Sequence, residues 1–514
     1  MLFNSYAFIF AYFPATLCLF FFLGNKSPRI ASLWLTIASF IFYGWWSQKY
    51  VLLLFISIII NYVVGMKLAE AYADGRADKN KTILMCAVSA NILLLVYYKY
   101  MNFFVLNFNK AFGCEYQFPE IILPIGISFF TFTQIAFLVD ASRGLAKEYN
   151  FIHYCLFVTY FPHLIAGPIL HHKEMMPQFS NPRTYRFNFD NMAIGLSIFI
   201  IGLFKKVVLA DNVSGYASPV FDAATKGLSV STFEAWGGAL AYTMQLYFDF
   251  SGYTDMAIGS SRMLGIKLPI NFLSPYKAHN IIEFWRRWHI TLSRFLRDYL
   301  YIPLGGNRRG KFRRHMNLLA TMLLGGLWHG ANWTFLIWGG LHGVYLILNH
   351  GWQNIRKKFG YHSTDTTLIY QFICHFITFI SIVFAWVFFR STSSDAAIIV
   401  IKGMLGMNGT LLPLKWVEDT GSNFIVHWML SNGIKPALND NLFTGSNEIW
   451  VIALLLCICM FLPNTSDLFC EKNKDGSQLW LWHPNKIWVT LTIIMGVISI
   501  LCISDMSEFI YFQF

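Results

Sequence analysis

The sequence predicts an all-α polytopic membrane protein, and three observations predict it. Aromatic, aliphatic and sulfur-bearing residues make up 56% of 514 residues and charged residues only 13%, and the mean hydropathy is +0.48. A soluble domain carries about 25% charge, so this chain has too few charges to cover a water-exposed surface. Apolar runs long enough to cross about 30 Å of hydrocarbon recur along the whole length. The formal net charge of +12 does not point to nucleic acid. Its Lys and Arg residues lie in short segments between apolar runs, where such residues set topology and meet anionic lipid head groups.

The apolar runs lie near 7–24, 31–47, 50–66, 83–106, 121–139, 151–170, 191–210, 235–250, 316–328, 332–349, 367–389, 448–463 and 486–504. Several are short or interrupted, so about 11 full spans are expected, with re-entrant and interfacial pieces, in one membrane domain over 1–514. The first run has no basic residue before it and no small-residue cleavage site after it, unlike a secretory signal. Its positive flank, Lys26 and Arg29, follows it, which places the N-terminus outside. Alternation then puts 67–82, with Lys67, Arg76, Lys79 and Lys81, in the cytosol. Nine cysteines fall mostly inside apolar runs without metal or disulfide spacing and read as packing residues.

Two regions break the pattern. Residues 408–447, rich in Asn, Gly and Trp, are expected as an extramembrane loop with short interfacial helices. Residues 271–315 hold ten Lys or Arg residues against Glu283 and Asp298, which predicts the cytosolic rim of a cavity. Plotted at 100° per residue, 281–300 forms one amphipathic helix. Ile281, Phe284, Trp288, Leu292, Phe295 and Tyr299 make its apolar face, and His289 stands on the border.

Polar residues inside apolar spans are costly and therefore candidates for function. His329, in Leu327-Trp328-His329-Gly330, follows a dozen mostly apolar residues. An imidazole at that depth is a candidate general base, because burial disfavours its charged form; the alternative is a histidine bonded between helices. Gly325, Gly326 and Gly330 beside it allow close approach of backbone or ligand. His342 is read as a packing residue. His289 either orients a donor or acceptor or belongs to an interfacial anchor of Trp and Arg. Asp140, Asp249 and Asp255 are read as ion-pair partners that hold broken helices, with a transporter's ion sites as the other reading. Lys205-Lys206 is read as an interfacial anchor. The C-terminal Phe509-Ile510-Tyr511-Phe512-Gln513-Phe514 is either an aromatic belt or a seat for Tyr511 as a phenolic acyl carrier.

The stretch FWRRWHITLSRFLRDYLYIPLGGNRRG, followed by LLGGLWHGANWTFLIWGGLHG, resembles the membrane-bound O-acyltransferase family. The nearer likeness is to its AlgI/PatA-like branch, which serves alginate and peptidoglycan O-acetylation; the likeness to DltB-like D-alanyl transfer is more distant. PIGISFFTF at 124–132, FPHLIAGPI at 161–169 and FDFSGYTDMAIG at 248–259 support it. The resemblance implies a fold around a central tunnel, with His329 as the family's essential histidine and His289 as its second. It implies an acetyl thioester donor, acetyl-CoA or a carrier thioester, and no bound cofactor or metal. Arg286, Arg287, Arg297, Trp285, Trp328 and Asn332 are then the expected donor-binding residues. Phe509, Tyr511 and Phe514 fit the terminal pattern Phe-x-Tyr-x-x-Phe of periplasm-facing members, with Tyr511 as relay; Gln513 departs from the Arg common there. The implied setting is a bacterial inner membrane with both termini periplasmic. The implied partners are membrane lipids, an SGNH-hydrolase-like periplasmic acetyltransferase and a polysaccharide synthesis or export complex, without nucleic acid. D-alanyl transfer, a transporter and a scaffold are the alternatives.

Overall fold

In hydrocarbon every backbone N–H and C=O must bond within the protein, so apolar runs of this kind fold as helices. The structure, a computed structural model, describes residues 1–75, 77–146, 150–165, 167–360, 367–418, 424–436, 442–443, 447–469, 482–503 and 510. Among these, five helices are long and apolar enough to cross a membrane: Ala7–Lys26, Gln48–Ala73, Asn80–Phe112, Phe189–Thr225 and Leu368–Arg390. Three shorter apolar helices are Ile127–Ser142, Asn447–Phe461 and Lys486–Leu501. In the stretch read as a loop, the short helices Leu414–Glu418 and Phe424–Ser431 do form. They accompany a two-residue parallel pairing of Leu411–Leu412 with Lys435–Pro436.

The chain forms two compact units. The described residues of the first lie within Met1–Phe204, Gly252–Asn271 and His483–Gln513, and those of the second within Lys205–Ser251 and Phe272–Trp482. In the first unit, polar side chains join helices across apolar faces. Asn91 donates to the Asn61 side chain at 2.7 Å, and Gln134 donates to Ser57 at 3.0 Å. Such bonds hold membrane helices where apolar burial alone gives no preference between protein and lipid.

In the second unit the sequence reading of Lys206 is overturned. Lys206 is not an interfacial anchor: it is 2% exposed, with Nζ 2.6 Å from Asp249 Oδ1 and 2.7 Å from Asp211 Oδ1. A buried ammonium needs a buried anion, and neither residue's own helix reveals the other. Asp249, 1% exposed, is thus an ion-pair partner, as read from the sequence.

A buried histidine and tryptophan cluster as candidate active site

Five helices of the second unit matter here: α1 (Ile281–Arg287), α2 (Ile290–Leu296), α3 (Gly310–His329), α4 (Trp333–Lys358) and α5 (Leu368–Arg390). The single amphipathic helix expected over 281–300 is in fact broken. Asn280 caps α1 by accepting the Glu283 N–H at 3.0 Å. The helix then stops at Trp288, and His289 takes φ 42° and ψ 55°. That left-handed conformation costs an L residue about 1–2 kcal/mol. Among the described residues only Ser274 shares a positive φ without being glycine. Once the helix restarts at Ile290, one 100° wheel no longer relates residues on either side of the break. His289 therefore leaves the border of the face and becomes wholly buried, at 0% exposure. Backbone strain held in this way marks a position that its surroundings over-determine.

Helices α3 and α4 form a tight hairpin. A Cβ added at Gly326 would strike the Phe335 carbonyl oxygen, and one at Gly339 would strike that of Met322. Contacting residue numbers fall on α3 as they rise on α4, so the helices are antiparallel. Gly339 and Gly343 repeat the four-residue spacing of closely packed membrane helices. Asn332 closes the turn: its side-chain oxygen accepts the Thr334 N–H at 3.1 Å, and its amide donates to the Thr392 carbonyl at 2.8 Å. Its observed role is a helix cap.

His329 ends α3 at 4% exposure, walled by aromatic rings. The Trp328, Trp338 and Phe389 centroids stand 4.9, 5.1 and 5.1 Å from its own. Trp328 also lies 6.1 Å from the His289 ring, so it touches both histidines. Phe250 meets His289 edge-on at 4.9 Å. The enclosure continues to His342, also 0% exposed, with Trp338 at 4.8 Å and Trp285 at 5.1 Å. Among the described residues, neither His342 nitrogen and neither the Trp285 nor the Trp338 indole N–H has a hydrogen-bond partner. Leaving such buried groups unmade costs about 1–3 kcal/mol each, which suits a place where a substrate supplies the bonds.

The sequence reading took His342 for packing and passed over Trp338. The two stand one turn apart on α4, and Trp386 of α5 joins them with its ring 6.1 Å from His342, a meeting that chain order does not show. The usable signal was Trp338 and His342 at i, i+4 beside Gly339 and Gly343. Of the expected donor arginines, Arg287 donates to Glu283 at 2.7 Å and to the Leu273 carbonyl at 3.2 Å. Arg297 donates to its neighbour Asp298 at 2.7 and 3.1 Å, while Arg286 is exposed. Tyr511 lies outside the described residues. Among those residues no group of three His, Cys, Asp or Glu side chains converges to hold a metal ion.

A buried imidazole among aromatic walls, on a scaffold of membrane helices, suits proton transfer away from water. The sequence pattern of the membrane-bound O-acyltransferase family matches residues 40–390, a stretch that contains His289, His329 and His342. The chain belongs to that family and is a multi-pass membrane acyltransferase. It is 40% identical over 546 residues to the peptidoglycan O-acetyltransferase of Helicobacter pylori, covering 100% of this chain and 98% of that protein. Over 402 residues it is 42% identical to the probable alginate O-acetylase AlgI of Pseudomonas aeruginosa, covering 77% and 73%. The teichoic acid D-alanyltransferase of Bacillus subtilis is 29% identical over 324 residues, covering 61% and 80%.

Proposed function

We propose that this acyltransferase takes acetyl from a cytosolic thioester and passes it across a bacterial inner membrane for O-acetylation of a secreted or cell-envelope polysaccharide. Alginate, cellulose and peptidoglycan are the candidate polymers. The observation that carries the reading is His329, buried at the end of α3 and joined through Trp328 to the strained, buried His289. The relatives named for peptidoglycan and alginate O-acetylation support the acetyl group and the polymer class. The D-alanyl relative covers less of the chain at lower identity.

In this reading His329 accepts the proton of an acceptor hydroxyl as its oxygen attacks the thioester carbonyl; the thiolate then leaves and recovers the proton. General-base assistance of this kind contributes about 10²–10⁴-fold. His289 orients the reacting groups, and the indole N–H groups of Trp285 and Trp338 are donors for the donor's carbonyl or amide oxygens. The proposed first acceptor is Tyr511. A periplasmic SGNH-hydrolase-like acetyltransferase, working with a polysaccharide synthesis or export complex, then takes up the ester; both chain termini are periplasmic in this scheme. Asp249, paired with Lys206, has a structural role that removes one support for a transporter.

The test is peptide mass spectrometry of the purified protein after incubation with isotopically labelled acetyl-CoA. Label on the C-terminal peptide at Tyr511, lost in His329→Gln, is expected. Ion-coupled substrate flux without thioester consumption would refute the acetyl-transfer reading.

A further inference from the structure

Trp338, His342 and Tyr345 follow one another along one face of α4, at four- and three-residue spacing. Beside the first of them stands His329, its ring 5.1 Å from that of Trp338. Beside the last, a groove of about 870 Å³ is lined by Tyr345, Asn280, Ile281, Asn349, Thr378 and Ser381. His342 lies between, with the Trp338 ring at 4.8 Å and the Tyr345 ring at 5.8 Å. From α1, Phe284 stacks on it at 6.0 Å and Trp285 meets it at 5.1 Å.

The unmet polar atoms here define what can bind. Among the described residues, both His342 nitrogens and the indole N–H groups of Trp285 and Trp338 are buried without a hydrogen-bond partner. A neutral imidazole presents one donor and one acceptor, and an indole one donor. The set therefore offers three donors and one acceptor. A thioester followed by a secondary amide complements it, with two carbonyl oxygens to accept and one N–H to donate. A hydrocarbon chain would leave all of these groups unmet, the costly outcome for buried polar atoms.

The spacing agrees. With Trp338 at 5.1 Å from one ring and 4.8 Å from the other, the His329 and His342 rings stand within about 10 Å of each other. A thioester carbonyl and an amide nitrogen two methylenes beyond the sulfur are about 5 Å apart at ordinary bond lengths, and a hydrogen bond adds about 2.9 Å. The attacked hydroxyl beside His329 takes up the rest. We propose that His342 is a donor-binding residue that accepts a hydrogen bond from this amide N–H, while the Trp285 and Trp338 indoles donate to the carbonyl oxygens. His342 thereby selects pantetheine thioesters over thioesters that lack the amide. The inference rests on the acetyl-transfer reading and adds to it a residue and the group it recognises.

Acetyl transfer by the full-length, detergent-solubilised protein tests it, with two labelled donors compared by kcat/KM. One is S-acetylpantetheine, the segment common to acetyl-CoA and a carrier thioester. The other is its isostere with an ester oxygen in place of that N–H. Wild type should prefer the amide by at least about tenfold, the scale for a buried acceptor left unpaired. His342→Phe should lose the preference by slowing the amide donor alone. Its melting temperature should hold, because an apolar ring among aromatic neighbours leaves no polar atom unmet. His342→Asn, which can still accept a hydrogen bond, should restore part of the preference. Both donors slowed alike in His342→Phe, the mark of a merely structural role, would overturn the inference, as would equal use of both by wild type; the acetyl-transfer reading would survive either result. Wild type that takes acetyl from neither donor would overturn that reading, and the inference with it.

Discussion

His329→Gln is the substitution that separates chemistry from packing at the centre of this protein. The His329 side chain is 4% exposed and has rings at 4.9, 5.1 and 5.1 Å on three sides. Truncation to Ala would open a void in that enclosure, and large-to-small core changes cost about 2–5 kcal/mol; lost folding could then pass for lost catalysis. Glutamine keeps most of the volume and a polar end but cannot take up a proton near neutral pH. Removing a general base is expected to slow acetyl transfer by about 10²–10⁴-fold, which raises the barrier by about 3–5.5 kcal/mol at 1.36 kcal/mol per tenfold. The assay is transfer of labelled acetyl from acetyl-CoA by detergent-solubilised protein, at matched protein amount and with melting temperatures recorded. Expected is a near-unchanged melting temperature with activity at about a hundredth or less. A His329→Gln protein that melts normally and keeps more than about a tenth of wild-type transfer would refute the general-base assignment.

Three further outcomes follow from the packing. Lys206→Met strands Asp249 beside an apolar side chain and should destabilise by about 3–5 kcal/mol, whereas Lys206→Met/Asp249→Leu should recover much of that loss; thermal melts of the cycle decide, and a double variant no better than the single one would count against the buried pair. Gly339→Ala drives a methyl into the Met322 carbonyl and should lower stability by about 1–3 kcal/mol, while Gly351→Ala, where nothing lies within 4 Å of the added carbon, should not. At His289, Asn tolerates the left-handed backbone and should preserve the fold while reducing transfer, whereas β-branched Val should lower the melting temperature as well; equal melting of the two would argue against strain at this position.

The chemical nature of the chain was legible from composition. Few charges, many apolar runs and basic connecting segments dictate membrane helices, because bilayer energetics act on each segment separately. His329 was legible for the same reason: a titratable group after a dozen apolar residues is anomalous wherever the segment packs. The 284–343 stretch also carried the family resemblance, which the match over 40–390 bears out. What the sequence misplaced depended on partners distant in the chain. A helical wheel assumes an unbroken helix, and the left-handed turn at His289 breaks that assumption, so a border residue became a buried one. Lys206 read as an anchor because Asp249 belongs to another helix. The surroundings of His342 were likewise out of reach of chain order, because α1, α4 and α5 bring Trp285, Trp338 and Trp386 around it, with ring centroids at 5.1, 4.8 and 6.1 Å. Segment energetics are local and can be read from order alone; burial, ion pairing and hydrogen bonding join residues through space, and only the tertiary structure decides them.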